Sequence, residues 1–505
     1  MNASTRAGNN EASPLIVSFD AGTTSVKTLV FDRDARPVIS TESIGYDLHT
    51  TGDGGVEIRA VDLFRAALES FDRAHQSLSQ LGRRPNAVSM CTFWHSFLGI
   101  DSNHEPSSPL IHLLDTRSEP AAAQLKKDLD EAAFHKRVGT VFHPSYWPAK
   151  LLWLRTNRPE WYRSAKLWMS FGEYLFLEFF GAAHASTSML SATGLWNSNT
   201  QSYDDDLLNY LGLRHDQLAD LGLLDQPAQG LKPEYATRWP LFADIPWFPS
   251  IGDGAANNVG CGSNSPNEFA LMVGTTGAMR AVFEEPHVEV PDGLWCYRLD
   301  PKRFVLGGAL SNGGKVFEWV MDRFQMPTDW EAQLAKVKPG SHGLTVMPLF
   351  AGERSTKWRA DARGALTGLN LNTSPVEILA ASLESVALRF RLLYDILNQR
   401  LGAPERVIAT GEALRRSPLW TQMMADALGR PVVASMEKET SARGSAMLAL
   451  ERIGAVDHLS SIASATGDVF QPRPEYADTY AELLDKQKRL YWQLFESDGA
   501  DHLRK

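Results

Sequence analysis

One short motif occurs twice in this chain of 505 residues. The first copy is Asp20-Ala-Gly-Thr-Thr-Ser-Val-Lys-Thr-Leu-Val-Phe-Asp32, and the second is Gly274-Thr-Thr-Gly-Ala-Met-Arg-Ala-Val-Phe-Glu284. Each follows a short apolar run, so each predicts two strands joined by a tight turn of small residues. The tip of such a hairpin exposes backbone N–H groups and threonine hydroxyls, which suit a phosphate. Two copies at the starts of two halves predict a duplicated fold that holds a polyphosphate from both sides.

The elements that follow each hairpin support the duplication. In the first half the pattern predicts strands at 16–19, 27–31 and 37–43, a helix at 61–81 and a buried strand at 87–92. In the second half it predicts strands at 269–273, 278–283, 303–306 and 406–410, a helix from about 315 and another at 423–428. Three meandering strands, a helix and a further strand form the core of a ribonuclease-H-like unit. The expected fold is therefore α/β, with two ribonuclease-H-like domains related by duplication and a catalytic cleft between them.

Chain length also favours two domains, because 505 residues exceed the size at which a single hydrophobic core keeps growing. We expect a disordered arm at 1–14, a first domain at 15–262 and a second domain at 263–505. The long stretch at 100–245, inserted between core elements of the first domain, is expected to carry the substrate determinants. A charged amphipathic helix at 476–495 is expected to pack on the core.

Composition excludes several classes of protein. Hydrophobic residues make up 43% and charged residues 22%, as in ordinary globular proteins, and no apolar run is long enough for a membrane span. A net charge of −10 argues against a nucleic-acid partner. Cys91, Cys261 and Cys296 lack metal-site spacing and cannot form a disulfide framework, which fits a reducing cytoplasm. There is no Gly-x-x-x-x-Gly-Lys-Ser/Thr loop and no Gly-x-Ser-x-Gly elbow, so a P-loop kinase or a hydrolase is not expected.

A longer gapped pattern in the second half identifies a family. Gly364-Ala-Leu-Thr-Gly-Leu369 is followed after seven residues by Glu377-Ile-Leu-Ala-Ala-Ser-Leu-Glu384. With the two hairpins, this pattern resembles the FGGY carbohydrate kinases of the actin, hexokinase and Hsp70 ATPase superfamily, over about residues 16 to 495. The resemblance implies actin-like ATPase domains, ATP and Mg²⁺ as cofactors, a sugar or sugar-acid substrate and a cytoplasmic location. It also makes a homodimer an assembly to test, although no residue here marks an interface.

The resemblance assigns the nucleotide site. Asp20 matches the family aspartate that positions Mg²⁺, a hard cation that prefers oxygen ligands, and Asp253 is expected beside the same metal. The residues expected to contact ATP are Gly22, Thr23, Thr24, Gly274, Thr275, Thr276, Gly313, Gly314 and Gly411. One departure from the family pattern follows Gly411, where Glu412-Ala413 replaces further glycines. Glu412 is expected to narrow or re-polarise the adenine pocket.

Asp253 is the expected catalytic base. It lies in Ser250-Ile-Gly-Asp-Gly-Ala-Ala-Asn257, which resembles the family's Gly-Asp motif at the domain junction. Phosphoryl transfer needs the acceptor hydroxyl to be aligned and its proton to be accepted, and a carboxylate between small residues allows that approach. The alternative is that Asp253 simply caps the start of a helix.

The sugar site is expected on the loops after the strand at 87–92. The residues that match the family's substrate-contacting loops are Trp94, His95, Asp115, Arg117, Tyr146 and Lys150. Arg117, Lys150 and Arg354 are the candidate partners for a carboxylate, because a guanidinium or an ammonium suits one. Two alternatives stay open: a Trp-His pair also occurs in ordinary packing, and Asp115 with Arg117 also makes a structural ion pair.

The loop sequences most resemble the gluconate-kinase branch of the family, so a gluconate-like acceptor is favoured. A kinase of a ketose or polyol, such as xylulose, ribulose or erythritol, is the first alternative. A non-catalytic sugar or nucleotide sensor is the second, and the presence of both Asp20 and Asp253 counts against it.

Overall fold

The computed structural model describes residues 13–496. The arm expected at 1–14 lies outside this range except for its last two residues, which lead into the first strand. Strands of the first half are β1 (Ile16–Ala21), β2 (Ser25–Phe31), β3 (Pro37–Ser40), β4 (Ile44–Gly45), β5 (His49–Thr50), β6 (Val56–Ile58), β7 (Ala87–Thr92), β8 (Leu98–Ile100), β9 (Leu110–Ile111), β10 (Leu167–Met169), β11 (Trp196–Asn197), β12 (Ser202–Tyr203) and β13 (Ile251–Gly252). Its helices are α1 (Ala60–Leu81), α2 (Glu119–Asp128), α3 (Glu131–Val138), α4 (Trp147–Asn157), α5 (Pro159–Ser164), α6 (Phe171–Phe180), α7 (Thr187–Ser191), α8 (Asp205–Leu211), α9 (Pro233–Arg238) and α10 (Asp253–Gly260).

The second half repeats the alternation of strands and helices. Its strands are β14 (Glu268–Val273), β15 (Gly277–Glu284), β16 (Trp295–Arg298), β17 (Arg303–Leu310), β18 (Thr345–Met347), β19 (Ala365–Thr367), β20 (Arg406–Thr410), β21 (Val432–Ser435) and β22 (Thr466–Phe470). Its helices are α11 (Gly314–Arg323), α12 (Trp330–Leu334), α13 (Pro375–Leu401), α14 (Glu412–Arg416), α15 (Pro418–Leu428), α16 (Thr440–Arg452) and α17 (Ala477–Phe495). The strands and helices predicted from both hairpin neighbourhoods are all present, with ends that differ by a few residues.

The two main sheets share one topology. The first has the order β13-β7-β1-β2-β3, and the inner strands of the second have the order β21-β20-β14-β15-β17. Strands β1, β2 and β3 form an antiparallel meander in the first sheet, as β14, β15 and β17 do in the second, where the additional strand β16 pairs with the outer side of β17. In each sheet the next two strands lie parallel to the meander's first strand. This arrangement is that of a ribonuclease-H-like unit, so the predicted duplication is confirmed.

The insertion between β7 and β13 has a hydrophobic core of its own. Its helices α2, α3, α4 and α8 contribute buried side chains, among them Phe134, Trp147, Leu154 and Leu208. The segment between β7 and α2, together with the turn before α4, forms one wall of the cleft. This part of the insertion is therefore a packing unit beside the cleft, whereas α6 and the segment around Trp239 and Trp247 pack with α1 and the first sheet.

Two helices join the halves at the base of the cleft. Helix α10 follows the last strand of the first sheet, α16 follows β21 of the second, and the two cross where Gly260 and Gly444 lie. A Cβ on Gly444 would overlap the carbonyl oxygen of Ala256, so the helix backbones touch directly. Helix α16 also packs on the first sheet, where the Ser18 hydroxyl donates to the Ala442 carbonyl at 2.8 Å. The halves are thus fused through a crossing that only small residues permit.

Candidate active site

Asp253 lies at the meeting point of two cavities. It is the first residue of α10, directly after β13, and the Gly254 N–H donates to its Oδ1 at 2.7 Å. The larger cavity, of about 590 Å³, and the smaller, of about 310 Å³, share Asp253, Gly254, Met272 and Arg280 as lining residues. Burial raises the pKa of the Asp253 carboxyl to about 6; Arg280 opposes the shift and Asp20 adds to it. A carboxyl with this pKa can accept a proton close to neutral pH.

Trp94 covers the segment that presents Asp253. A Cβ on Gly252 would overlap the Trp94 indole, and one on Gly254 would overlap the edge of the same ring. The indole N–H donates to the Ser188 carbonyl at 3.1 Å, which fixes the ring. Trp94 also lines the larger cavity. Its apolar surface therefore lies beside the segment that carries the carboxyl.

His95 follows in a left-handed backbone conformation, with φ of 67°. Its Nδ1 lies 2.8 Å from the Ala192 carbonyl oxygen, and since a carbonyl only accepts, Nδ1 carries the proton. Burial, with a contribution from Arg354, lowers the pKa of His95 to about 3, so the imidazole stays neutral. Its Nε2 is therefore an acceptor in the wall of the larger cavity, suited to a sugar hydroxyl.

The first predicted hairpin connects β1 and β2. The Gly22 N–H donates to the Ser25 carbonyl at 3.0 Å, and the Tyr46 hydroxyl donates to the Gly22 carbonyl. Thr23 and Thr24 are exposed at the tip, and Thr23 lines the larger cavity. The turn is held from behind, while its threonine hydroxyls are open to a ligand.

Asp20 stands at the base of this hairpin and is buried. Its Oδ1 accepts from the Cys91 thiol at 3.0 Å, and its Oδ2 lies 3.6 Å from the Lys27 ammonium, which also pairs with Glu439. Burial raises the pKa of the Asp20 carboxyl even though Lys27 opposes the shift. Asp20 and Asp253 also disfavour each other's ionisation, so a divalent cation near both would stabilise the pair.

The second hairpin, between β14 and β15, packs against the start of α11. The Gly274 carbonyl accepts from the Gly314 N–H at 2.7 Å, and the Thr275 carbonyl accepts from the Gly313 N–H at 3.1 Å. Thr275, Thr276 and Lys315 line the larger cavity. Gly313 and Gly314 therefore hold the hairpin by their backbone, and the threonine side chains remain available to a ligand.

Gly411 and Glu412 line the smaller cavity at the end of β20. Gly411 has a φ of 93°, and a Cβ there would overlap the Val273 carbonyl, so the position requires glycine. Glu412 pairs with Arg415 and Arg416 of its own helix, and these contacts lower the pKa of its carboxyl. The charge of Glu412 is therefore balanced within α14.

The remaining charged residues predicted for the sugar site form ion pairs and hydrogen bonds within the protein. Arg117 Nη2 lies 2.6 Å from Asp115 Oδ2 and 2.7 Å from Glu57 Oε1. Lys150 Nζ donates to the carbonyls of two buried histidines, at 2.8 and 3.2 Å, and burial lowers its pKa to about 7. Asp115 borders the larger cavity, whereas Arg117 and Lys150 are not among its lining residues. Asp115 and Arg117 form the structural ion pair that was the open alternative.

Tyr146 is buried behind the same wall. Its hydroxyl lies 2.6 Å from that of Tyr297, and its ring packs edge-on against His95 with centroids 5.0 Å apart. It is therefore placed to support His95 and the aromatic residues of β16 and is not itself a lining residue of the larger cavity.

Sequence reasoning missed several charged residues of the larger cavity, Arg280 and Lys315 among them, and left Arg354 undecided. Arg280 lies on β15 within the second motif, where its alternation with apolar neighbours points it to one face of the strand. It is 7% exposed, and its Nε and Nη1 have no hydrogen-bond partner among residues 13–496. Arg354, one of the three candidate partners for a carboxylate, lines the same cavity. Its Nε is also buried and has no hydrogen-bond partner among residues 13–496.

Two features are absent from residues 13–496. No group of three or more His, Cys, Asp or Glu side chains is arranged to hold a metal ion. None of the helices in this range has both the length and the apolar character needed to cross a membrane.

The comparisons with known proteins cover nearly the whole chain. The N-terminal domain of the FGGY family of carbohydrate kinases matches residues 15–260, and the family's C-terminal domain matches residues 269–451. A gluconokinase from Bacillus subtilis (strain 168) is 30% identical over 485 residues, 93% of this chain and 94% of that protein.

Two solved structures superpose over the full fold. A gluconate kinase from Lactobacillus acidophilus gives a TM-score of 0.88 at 26% identity, covering 97% of this chain and 99% of the other. A ligand-bound xylulose kinase from the same organism gives 0.89 at 26% identity, covering 96% and 99%. With both family domains matched in order and the two-sheet architecture shared, this chain belongs to the FGGY family of carbohydrate kinases.

Proposed function

We propose that this kinase transfers the γ-phosphoryl group of ATP to a hydroxyl of a gluconate-like sugar acid, with Asp253 as the general base. The observation that carries the proposal is the position of Asp253 where the two cavities meet. Its pKa of about 6 leaves it ionised at neutral pH, yet basic enough to take the hydroxyl proton as the bond to phosphorus forms.

The two threonine hairpins are the proposed phosphate contacts. Thr23 comes from the first lobe, and Thr275 and Thr276 come from the second, and all three line the same cavity. The two turns are held by backbone hydrogen bonds within each half of the chain, so the threonine residues are positioned before a nucleotide binds. The glycines of both turns keep side chains from blocking the approach.

The nucleoside is assigned to the smaller cavity and its rim. Gly411 lies at the end of β20, and a Cβ added to Gly314 would lie 3.5 Å from Ala413 Cβ, so the starts of α11 and α14 are neighbours. Glu412 is already paired within its helix. We therefore expect Glu412 to shape the rim of this pocket and to leave ATP binding possible.

Asp20 and Asp253 are the proposed carboxylates beside Mg²⁺. Asp20, at the base of the first hairpin, acts electrostatically on Asp253 and raises its pKa. Asp20 is buried, accepts from the Cys91 thiol and pairs with the Lys27 ammonium. Bound Mg²⁺ would neutralise charge on the phosphates. In this chain, the Lys27 ammonium would hold Asp20 in place.

The acceptor is assigned to the wall formed by Trp94 and His95. Trp94 offers an apolar surface to the carbon chain, and the neutral His95 offers Nε2 as an acceptor for a hydroxyl. A gluconate-like acceptor is supported by the relative named gluconokinase and the structure named gluconate kinase. A ketose acceptor is the second candidate, because a xylulose kinase superposes equally well.

The test is an ADP-release assay with MgATP and a panel of aldonates, ketopentoses and polyols, with a sugar-free blank. Turnover with gluconate or another aldonate at the highest kcat/KM is the expected result. Turnover confined to neutral ketoses or polyols would show that the acceptor is a neutral sugar, and the assignment as a kinase would stand. Binding of ATP and sugar without turnover on any acceptor would favour a sensor.

A further inference from the structure

Two arginines face the larger cavity without an anionic partner. Arg280 comes from β15 and Arg354 from the segment between β18 and β19, and both line the cavity. No Asp or Glu of residues 13–496 lies within 4.0 Å of either guanidinium. Burial lowers the pKa of Arg280; Asp253 opposes this shift and Arg354 adds to it. Two cations that act on each other across one cavity, with buried N–H groups unpartnered, form an incomplete site.

The other carboxylates that line this cavity are paired with other residues or exposed to solvent. Glu353 binds Arg389 and accepts from the Tyr491 hydroxyl at 2.6 Å. Asp115 is taken by Arg117. Glu119 is exposed to solvent, and Asp253 is the proposed base. Asp253 attracts Arg280 electrostatically, but no carboxylate of residues 13–496 forms an ion pair with Arg280 or Arg354.

A buried guanidinium with unpaired N–H groups is costly unless a ligand completes its hydrogen bonds. Its planar fork matches a carboxylate, which can accept two parallel N–H bonds. The phosphate hairpins have a separate cation, Lys315, beside Thr275 and Thr276. Arg354 acts electrostatically on His95, His143 and Tyr146, which places it on the acceptor side of the cavity.

We propose that Arg280 and Arg354 together bind the carboxylate of the acceptor and so make this kinase select sugar acids over neutral sugars. The inference rests on the proposed function, because it needs a sugar-acid acceptor in this cavity. It assigns specificity to the second lobe, which supplies both arginines, while Trp94 and His95 of the first lobe contact the hydroxylated chain. A sugar acid would then contact both halves of the chain, whereas a neutral sugar would bind mainly to Trp94 and His95 of the first half.

The experiment measures binding by calorimetry without nucleotide, using gluconate and its uncharged amide, gluconamide. The proteins are the wild type, Arg280→Gln, Arg280→Lys and Arg354→Gln. Arg163→Gln, which removes an exposed arginine from α5 outside the cavity lining, is the matched control. Thermal unfolding of each variant checks the fold.

The wild type should bind gluconate at least about tenfold more tightly than gluconamide, because only the acid accepts charge-assisted hydrogen bonds. Arg280→Gln and Arg354→Gln should each remove most of that preference and leave gluconamide binding within about twofold. Arg280→Lys keeps a point charge and loses the fork, so an intermediate preference is expected. Arg163→Gln should match the wild type.

Three results would overturn the proposal in distinguishable ways. If the Gln variants keep the full preference for gluconate and the wild type phosphorylates sugar acids, only the carboxylate site is wrong. If Arg280→Gln lowers kcat equally on acid and neutral acceptors with gluconate binding unchanged, the guanidinium serves the transferring phosphoryl group. If the wild type phosphorylates neutral sugars alone, the sugar-acid acceptor and the carboxylate site both fail. Should Arg280→Gln not fold, Arg354→Gln and Arg280→Lys decide the question.

Discussion

The indole of Trp94 occupies the space that a Cβ on Gly252 would need. Gly252 directly precedes Asp253, so one contact positions both the proposed base and the apolar wall of the proposed sugar site. The Ser188 side chain reinforces this arrangement, since its hydroxyl accepts from the Gly252 N–H at 3.1 Å while its carbonyl accepts from the Trp94 indole. A change at Gly252 therefore acts on the acceptor and the base together.

Gly252→Ala should displace Trp94 and weaken acceptor binding. The added methyl group forces the indole or the backbone to move, and overpacking of this kind costs about 1–3 kcal/mol of folding stability. We expect a higher KM for the acceptor, a lower kcat and little change in ATP binding. Gly52→Ala is the matched control, because a Cβ there meets nothing within 4 Å. Equal kinetics for the two variants would contradict the assigned contact.

Asp253→Asn should abolish transfer and leave sugar binding nearly intact. The amide keeps the shape of the carboxylate and cannot accept the proton, so kcat should fall at least about 100-fold. Steady-state kinetics and calorimetry with the sugar measure the two effects. Asp244→Asn, at an exposed position, serves as the control. Retention of more than about a tenth of the wild-type turnover would show that Asp253 is not the base.

The pH dependence should report the same carboxyl. Its pKa is raised by burial to about 6, with Arg280 and the N–H groups of Gly254 and Trp94 opposing the shift and Asp20 adding to it. Below that pH the group is protonated and cannot act as a base, so kcat/KM should fall about tenfold per pH unit as the pH decreases. The neutral His95, with a pKa of about 3, does not titrate in this window. A flat profile from about pH 5 to about pH 8 would exclude this assignment.

Thr275→Val tests the second hairpin. The Thr275 carbonyl, which the substitution leaves in place, is the group that accepts from the Gly313 N–H, so the turn should keep its shape. Losing one hydroxyl contact to a charged phosphate costs about 1.5–3 kcal/mol, or roughly 10- to 100-fold in kcat/KM for ATP. Sugar affinity should stay unchanged. Thr367→Val, on the exposed part of β19, is the control. If the two variants have equal kcat/KM for ATP, Thr275 does not contact the phosphates.

Tyr491→Phe should loosen the segment that carries Arg354. The Tyr491 hydroxyl on α17 donates to the buried carboxylate of Glu353 at 2.6 Å, and its loss should cost about 1–3 kcal/mol of stability. Because Glu353 is adjacent to Arg354, acceptor KM should rise as well. Tyr480→Phe is the matched control on the same helix, since its hydroxyl is buried without a hydrogen-bond partner among residues 13–496. Thermal unfolding that ranks the two variants equally would contradict this role.

The hairpins and Asp253 could be predicted from sequence because each depends on adjacent residues. The turn at Gly22 needs only its own small residues and two flanking strands, and α10 begins at Asp253 as the Ala-Ala-Asn run indicated. The meander and crossover order of both sheets followed from the same local patterns. The membership of the family was also evident from the gapped pattern at 364–384.

The cations of the sugar site could not be assigned this way. Arg117 is neutralised by Glu57 and Asp115, and the Lys150 ammonium donates to the carbonyl oxygens of residues 95 and 112. These partners are brought together only by the tertiary fold. The orientation of Arg280 depends on the register of β15 against β17 and on the glycines opposite it. Charge type alone therefore did not identify which arginines line the cavity.

The crossing of α10 and α16 has a consequence for how the protein can be divided. Helix α16 belongs to the second half of the chain, yet it covers one face of the first sheet through contacts such as that of Ser18 with Ala442. A fragment that ends near residue 262 would expose that apolar face, and a fragment that begins there would carry a helix without its support. The duplicated halves are thus not independent folding modules. Two fragments divided near residue 262 are expected to fold only when they are combined.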